Sequence, residues 1–260
     1  MPYAAEIDIA RTAAARSAEL ALRHQSAGIR AESKPDHSPV TIADRECERL
    51  IASILTGAFP GDGILGEEGA FQESRTGRRW IIDPIDGTRD FVRGNPLWSV
   101  LIGLESNGEV VAGVVHLPLL QQTCWASRGD GAYRNGSRLR VSSIGDPRQA
   151  VICVNSINRI GSMEFSTRLI DWAQQFWAMR CLGGTPDAIM LAAGEIDAWI
   201  EPKVEAWDLA AVSVILEEAG ARFFSLQSNR TIYEKSAVAC TPALESVLRS
   251  FLFPALTPGL

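Results

Sequence analysis

The chain has 260 residues, 46% of them hydrophobic and 22% charged, a balance that fits a folded chain with a sizeable core and excludes collagen, coiled coil and extended disorder. Its 25 Lys and Arg against 31 Asp and Glu give a formal net charge of −6 with no basic stripe, which argues against nucleic acid as a partner. No apolar run approaches the roughly 18 residues of a membrane span, the N-terminal stretch carries acids where a secretory signal needs bases, and Cys47, Cys124, Cys153, Cys181 and Cys240 show neither zinc spacing nor a disulfide framework, so a reducing cytoplasm and no membrane partner are expected.

Ile7, Ala10, Ala14, Ala18 and Ala21 recur at helical spacing and predict an amphipathic helix over about 4–24. The stretch SAGIRAESKPDHSP then breaks it. Thr41 with Asp44 three places on resembles a capping box, and Ile42, Leu50, Ile51, Ile54 and Leu55 supply the buried face of a second helix ending near Gly57. After the turn PGDG at 60–63, strands are predicted at 80–83, 99–105, 109–118 and 122–127, with Ser106-Asn107-Gly108 as a hairpin that pairs its neighbours antiparallel. Past about residue 148 the strand candidates AVICVNS, MRCLGG, IDAWIEP, ARFFSL and AVACTP alternate with helices near 164–177, 186–193, 208–219 and 242–251. The fold class is therefore α/β, with an α+β N-terminal lobe over 1–148 and an α/β C-terminal lobe over 149–260, sharing one extended core. A cleft between lobes is the default place for a site.

The densest chemical cluster is WIIDPIDGT, Trp80 to Thr88. An apolar strand delivers Asp83 at its end, Pro84 stops ladder pairing, and Asp86 follows in the same turn. If a helix starts at Gly87-Thr88, its N–H groups face whatever the carboxylates hold, which suits a phosphate. Acids beside an anion site require a cation between them, and oxygen ligands suit Mg²⁺. The same residues also read as a strand ending in an Asp-Pro turn whose second Asp caps a helix. An EF-hand is disfavoured, because the alternating ligands before its Gly are missing. Glu67-Glu68 in GEE can be presented at a strand edge or lie in a solvated turn; Asp208 before Leu209, Val212, Ile215 and Leu216 can be a ligand or an N-cap; Asp44 can simply close the box with Thr41.

Taken together, GEE at Glu67-Glu68, WIIDPIDGTRDF, and WDLAAV followed by EEAG resemble the inositol monophosphatase superfamily, Mg²⁺-dependent and lithium-sensitive phosphomonoesterases, over about residues 5–250. The resemblance implies a layered αβαβα sandwich, a homodimer, and an active site between lobes. It makes Glu67, Asp83, Asp86, Asp208 and the Ile85 carbonyl metal ligands for two or three Mg²⁺ ions, with Mn²⁺ as a substitute, and gives Asp44 a place in an outer or third metal site. The Thr88 hydroxyl, paired with Glu67 or Asp44, orients the attacking water, and the Gly87 and Thr88 N–H groups hold phosphate. The implied chemistry is direct hydrolysis of a small-molecule phosphate monoester by metal-activated water.

The segment from Asp90 to Trp98 looks more like the histidinol-phosphate phosphatases of this superfamily, which points to L-histidinol phosphate and histidine biosynthesis. Glu201 matches the position that contacts the organic part of the substrate, and Asp187 or Glu205 adds negative charge for an ammonium and an imidazole; each also reads as an exposed loop acid, Glu205 at least equally so. The turn Gly183-Gly184-Thr185-Pro186-Asp187 departs from both the Gly-Ser-rich turn of inositol phosphatases and the Gly-Asp turn of histidinol phosphatases, so inositol 1-phosphate stays an alternative. A second phosphate would need bases, for which Arg89, Arg93 and Arg180 are the candidates. A regulatory binding module on a phosphatase fold is the reading from another class. Trp80, Trp98, Trp125, Trp199 and Trp207 are assigned to core packing, and His24, His37 and His116 to no catalytic role.

Overall fold

The computed structural model describes residues 2–28, 32–33 and 39–254. His37 and most of the stretch expected to break the first helix lie outside the described residues. By packing, the chain divides into two compact units, Met1–Arg138 with Ala206–Glu218, and Leu139–Glu205 with Ala219–Leu260. The first unit thus closes ten residues before the expected boundary at 148, and the helix carrying Asp208, expected in the C-terminal lobe, belongs to it.

An eight-stranded sheet forms the first unit, in the order Ser137–Arg138, Gly131–Arg134, Gln122–Ser127, Glu109–Leu117, Ser99–Ser106, Arg78–Asp86, Gly63–Gly66 and Phe71–Gln72. All its pairings are antiparallel except Gly63–Gly66 with Arg78–Asp86. The hairpin at Asn107-Gly108 has φ 51° and 83°, the left-handed pair a tight two-residue turn demands. Side chains alternate across the sheet, and Val100, Ile102 and Leu104 share one core with the helices Ala4–Ala27 and Ile42–Ala58. The first helix presents Ile7, Ala10, Ala14, Ala18 and Ala21 inward as its spacing predicts, joined by Ala13 and Ser17.

In the second helix, the Thr41 hydroxyl accepts from the Ala43 N–H at 3.1 Å while Asp44 accepts the Thr41 N–H at 2.7 Å. That cap sets the phase. Ala43, Cys47, Ile51 and Leu55 fall at i, i+4 steps on the buried face with Asp44 and Glu48. Ile42, expected on that face, stands one residue and about 100° away from Ala43 and is 55% exposed.

The opposite face of the sheet carries Gly103 and Gly113, where a Cβ would come within 2.6 Å of the Ala210 Cβ and 2.7 Å of the Ala211 Cα and carbonyl oxygen. These two glycines let the helix Ala206–Glu218 lie against the backbone of the sheet, and its residues from Leu209 to Leu216 are all buried. At its far end, Glu218 accepts the Gly129 and Gly131 N–H groups at 3.0 and 2.9 Å, and Arg128 pairs with Glu217.

The second unit holds a five-stranded sheet in the order Ala178–Arg180, Val151–Val154, Ala198–Glu201, Ala237–Cys240 and Arg222–Phe224. The first three are parallel, whereas Ala237–Cys240 runs antiparallel to both neighbours, so the unit is mixed α/β. The helix expected over 164–177 shortens to a 3-10 turn, Ser166–Arg168, and one helical turn, Leu169–Ala173. Trp172 stacks on Phe251 at 4.0 Å and meets Phe176 edge-on at 4.6 Å, so aromatic packing overrides helical period there. Trp80, Trp98 and Trp199 are fully buried and Trp125 nearly so, while Trp207 is only half-buried at the start of its helix. All five cysteines are free thiols, four of them buried, and among the described residues no helix is long and apolar enough to cross a membrane.

Gly113→Ala drives a methyl into the Ala206–Glu218 helix, and its denaturant midpoint is expected to report a loss of about 1–3 kcal/mol. Gly57→Ala, which meets open space inside a helix, is expected to stabilise by about 0.5 kcal/mol in the same titration. Equal midpoints for the two variants would contradict the close approach.

Candidate active site

The strand Arg78–Asp86 is apolar up to Asp83, the point where Pro84 can offer no N–H to the ladder. Residues three apart on a regular strand face opposite ways, which would separate Asp83 from Asp86. Pairing with Ser99–Ser106 shifts register between those two acids, and the irregularity resets the alternation. Carboxylate oxygens of Asp83, Asp86 and Asp208 consequently lie within 4.8 Å of one another. Asp83 accepts the Ile85 N–H at 3.0 Å, and the Ser99 hydroxyl donates to Asp86 at 3.2 Å. Asp208 sits in the first turn of its helix, where the backbone dipole favours an anion.

Glu67 joins from the loop after the strand Gly63–Gly66, its N–H donating to the Ile82 carbonyl at 3.1 Å and its side chain hydrogen-bonding to Asp83. On the other side stands Asp44, fully buried, accepting the Thr41 N–H and hydroxyl at 2.7 and 2.6 Å. The Thr88 hydroxyl reaches both Asp44, at 3.3 Å, and the Ile85 carbonyl, at 3.2 Å. Asp44 is one of the two partners expected for Thr88. Gly87 has φ 83°, and a Cβ on it would stand 3.1 Å from the Leu97 carbonyl oxygen, so the turn needs glycine. The helix Thr88–Arg93 starts directly after it; the Asp90 and Phe91 N–H groups donate to the Gly87 carbonyl, and those of Thr88 and Arg89 have no acceptor inside the helix.

Burial, and then the charges of Glu67, Asp86 and Asp208, push the Asp83 carboxyl well above the usual carboxylate range. Asp44 also rises, through burial above all and with a contribution from Glu67, against the lowering hydrogen bonds of Thr41. The charged groups that act most strongly on Asp83 are other acids. A set of hard oxygen donors with this excess of negative charge fits a divalent cation, which Asp83, Asp86 and Asp208 could hold with Glu67 and the Ile85 carbonyl nearby.

Glu201, at the end of the strand Ala198–Glu201, and Asp187, in the first turn of the helix Thr185–Ala192, belong to the second unit and are both buried. Ser156 donates to Glu201 at 2.7 Å, and the Gly183 N–H donates to Asp187 at 3.1 Å, so the atypical turn closes on its own acid. Glu205 is engaged by the Lys235 ammonium at 2.9 Å. Arg89, Arg93 and Arg180 are exposed. His24 meets Glu46 at 2.8 Å and His116 meets Thr123 at 2.9 Å. Sequence reasoning missed Ser99 and Glu48. Ser99 opens a strand whose register partner is Asp86, and Glu48 sits four residues after Asp44 on the buried helix face, a spacing that could have flagged it.

The family described as the inositol monophosphatase family matches residues 3–255. The chain is 38% identical over 240 residues to a histidinol-phosphatase of Mycobacterium tuberculosis, covering 90% of this chain and 92% of that one. An inositol-1-monophosphatase of Mesorhizobium japonicum is 35% identical over 203 residues, 76% of each chain. Among solved structures, the extragenic suppressor protein suhB from Bartonella henselae superposes with a TM-score of 0.90 at 28% identity, over 97% of this chain and 100% of that one.

Because the folded pKa of Asp83 is raised, the folded protein keeps that proton to higher pH than the unfolded chain does. The associated stability is present at acid pH and is lost as pH rises through the folded pKa. Asp83→Asn keeps an acceptor for the Ile85 N–H and removes the charge. Its metal-free melting temperature at neutral pH is therefore expected to exceed that of the parent, on the order of 2–4 °C per kcal/mol relieved. Added Mg²⁺ is expected to raise the parent's melting temperature more as pH rises, and the variant's little at any pH. Scanning fluorimetry across pH, with and without the ion, reads both.

Proposed function

The chain belongs to the inositol monophosphatase family and is a phosphomonoesterase, and from that premise we propose that it hydrolyses L-histidinol phosphate to L-histidinol and phosphate with two or three Mg²⁺ ions. The observation that carries the proposal is the convergence of Asp83, Asp86 and Asp208 beside Glu67. These four carboxylates and the Ile85 carbonyl would hold the metal, with Asp44 next to them for an outer or third ion. Bound there, the cation neutralises phosphate oxygens and lowers the pKa of water.

The protein groups supply position. When the Thr88 hydroxyl donates to Asp44, its oxygen is left to accept a hydrogen bond from a water, aiming a water lone pair at phosphorus. The Gly87 and Thr88 N–H groups hold the phosphate oxygens in the left-handed turn, where developing charge is met by fixed donors. In the in-line step one P–O bond forms to the water oxygen and one breaks to the ester oxygen, which leaves as the alcohol after taking a proton. No covalent phosphoenzyme is needed. Glu201 and Asp187, two buried acids, complement the ammonium and imidazole of histidinol phosphate, and the histidinol-phosphatases among the relatives support that ester. Glu201 already accepts a hydroxyl, from Ser156, so a polyol also suits it, and inositol 1-phosphate is the second reading. Five free thiols fit a reducing cytoplasm.

Phosphate release from L-histidinol phosphate and from myo-inositol 1-phosphate, with Mg²⁺ and with chelator, tests the proposal. The expected result is a kcat/KM about a hundredfold higher for the histidinol ester, some 2.7 kcal/mol of transition-state binding. Asp86→Asn is expected to abolish the Mg²⁺-dependent rate, and Thr88→Val to lower kcat on the order of a hundredfold with KM little changed. A preference for the inositol ester would overturn the substrate, and release unaffected by chelator would overturn the metal.

A further inference from the structure

Glu48 is a buried carboxylate, 2% exposed, that the reaction scheme leaves unused. It lies one helical turn after Asp44 on the inward face of the helix Ile42–Ala58. Its two oxygens are spent on one loop: Oε2 accepts the Glu68 N–H and Oε1 the Ala70 N–H, each at 2.7 Å. The same carboxylate packs against Gly66, where an added Cβ would stand 2.2 Å from Oε2. The Gly66 N–H donates to the Ala70 carbonyl at 2.8 Å, closing the turn around the carboxylate.

Glu67 is the residue enclosed by these contacts. The residue before it is pressed against Glu48, and the residue after it donates to Glu48. Its own N–H is fixed to the Ile82 carbonyl, the residue next to Asp83. Glu67 and Glu68 both act unfavourably on the Glu48 charge, so a carboxylate here adds repulsion that a neutral side chain of equal size would avoid. What the carboxylate offers in return is a fork of two acceptors for two N–H groups two residues apart. Glutamine has one acceptor and turns its NH₂ toward the other N–H.

We infer that Glu48 is a positioning residue: by holding the Glu68 and Ala70 amides from the helix that carries Asp44, it fixes the Glu67 carboxylate against Asp83. The inference rests on the metal-dependent reading of the site, which gives Glu67 its task. It predicts an effect on metal binding transmitted through Glu67 rather than a general loss of stability.

The experiment uses the full chain with Glu48→Gln and, as the second variant, Glu48→Asp, which is one methylene too short to reach both amides. Titration calorimetry of Mg²⁺ into metal-free protein is expected to show affinity about tenfold weaker for each, as for other groups that orient a metal ligand. The half-activating Mg²⁺ concentration in phosphate release should rise by the same factor, with kcat at saturating Mg²⁺ and KM for the ester changed less than about threefold. In a Glu67→Gln background, adding Glu48→Gln should shift Mg²⁺ affinity less than about twofold. A lowered melting temperature with unchanged Mg²⁺ affinity and half-activation would overturn the inference, as would an undiminished tenfold effect in the Glu67→Gln background. If the parent protein neither binds Mg²⁺ nor needs it, the metal-dependent reading itself falls, an outcome distinct from either.

Discussion

Crowding of like charge at the end of one strand governs the construction of the first unit. Asp83, Asp86, Asp208 and Glu67 come from three separate stretches of chain and meet where burial already disfavours the ionised form of Asp83. Left to themselves such groups would move apart or stay protonated. They are held because none depends on a flexible tether. Asp83 is pinned in a strand flanked on both sides by partners, Asp208 by a helix buried along its length, and Glu67 by a turn closed on the sheet. The repulsion is thereby retained in the folded state and is available to be relieved by a cation.

Holding charges together in this way depends on small residues at least as much as on large ones. Gly103 and Gly113 bring the Asp208 helix onto the sheet, Gly66 makes room for Glu48, and Gly87 bends the chain out of the Asp86 strand into the helix of Thr88. Each is a place where backbone or a carboxylate approaches too closely for a Cβ. The apolar core around Trp80, Ile82, Ile102 and Leu55 supplies the stiffness that these close approaches need, since a loosely packed core would let the helices retreat from the notch.

Local pattern was enough for much of this. The alanine stripe of the first helix, the Thr41 capping box, the hairpin at Asn107-Gly108 and the sequence WIIDPIDGT each declare their structure within a few residues, and Asp83 and Asp86 stand out as two acids in one turn, whereas Asp208, which local pattern leaves as a ligand or an N-cap, is joined to them only by the family resemblance. What local pattern could not supply was partnership at long range. Nothing near Gly103 says that its neighbour is Ala210, more than a hundred residues on, and so the Asp208 helix read as part of the lobe that surrounds it in sequence. The spacing from Asp44 marks Glu48 as inward-facing, but its task was hidden for the same reason, since it lies in two amides twenty and twenty-two residues away. Ile42 misled through hydrophobicity alone, because the cap fixes the helical phase before any side chain is counted. In the second unit, the Leu169–Ala173 turn follows aromatic contacts with Phe251, again from far along the chain.

Chain order and chemistry are divided differently. Residues 139–205 intervene between the strand that carries Asp83 and Asp86 and the helix that carries Asp208, yet all three acids belong to one compact unit. The helix is joined to that unit by glycine notches at one end and by Glu217 and Glu218 at the other, contacts that do not involve the intervening segment. Glu201 and Asp187, by contrast, lie in the second unit and are each held by their own neighbours, Ser156 and Gly183. The contacts described for those two acids thus lie within the second unit, and those that hold the carboxylate cluster within the first. That the Asp208 helix belongs to the first unit follows from where Gly103 and Gly113 allow it to pack.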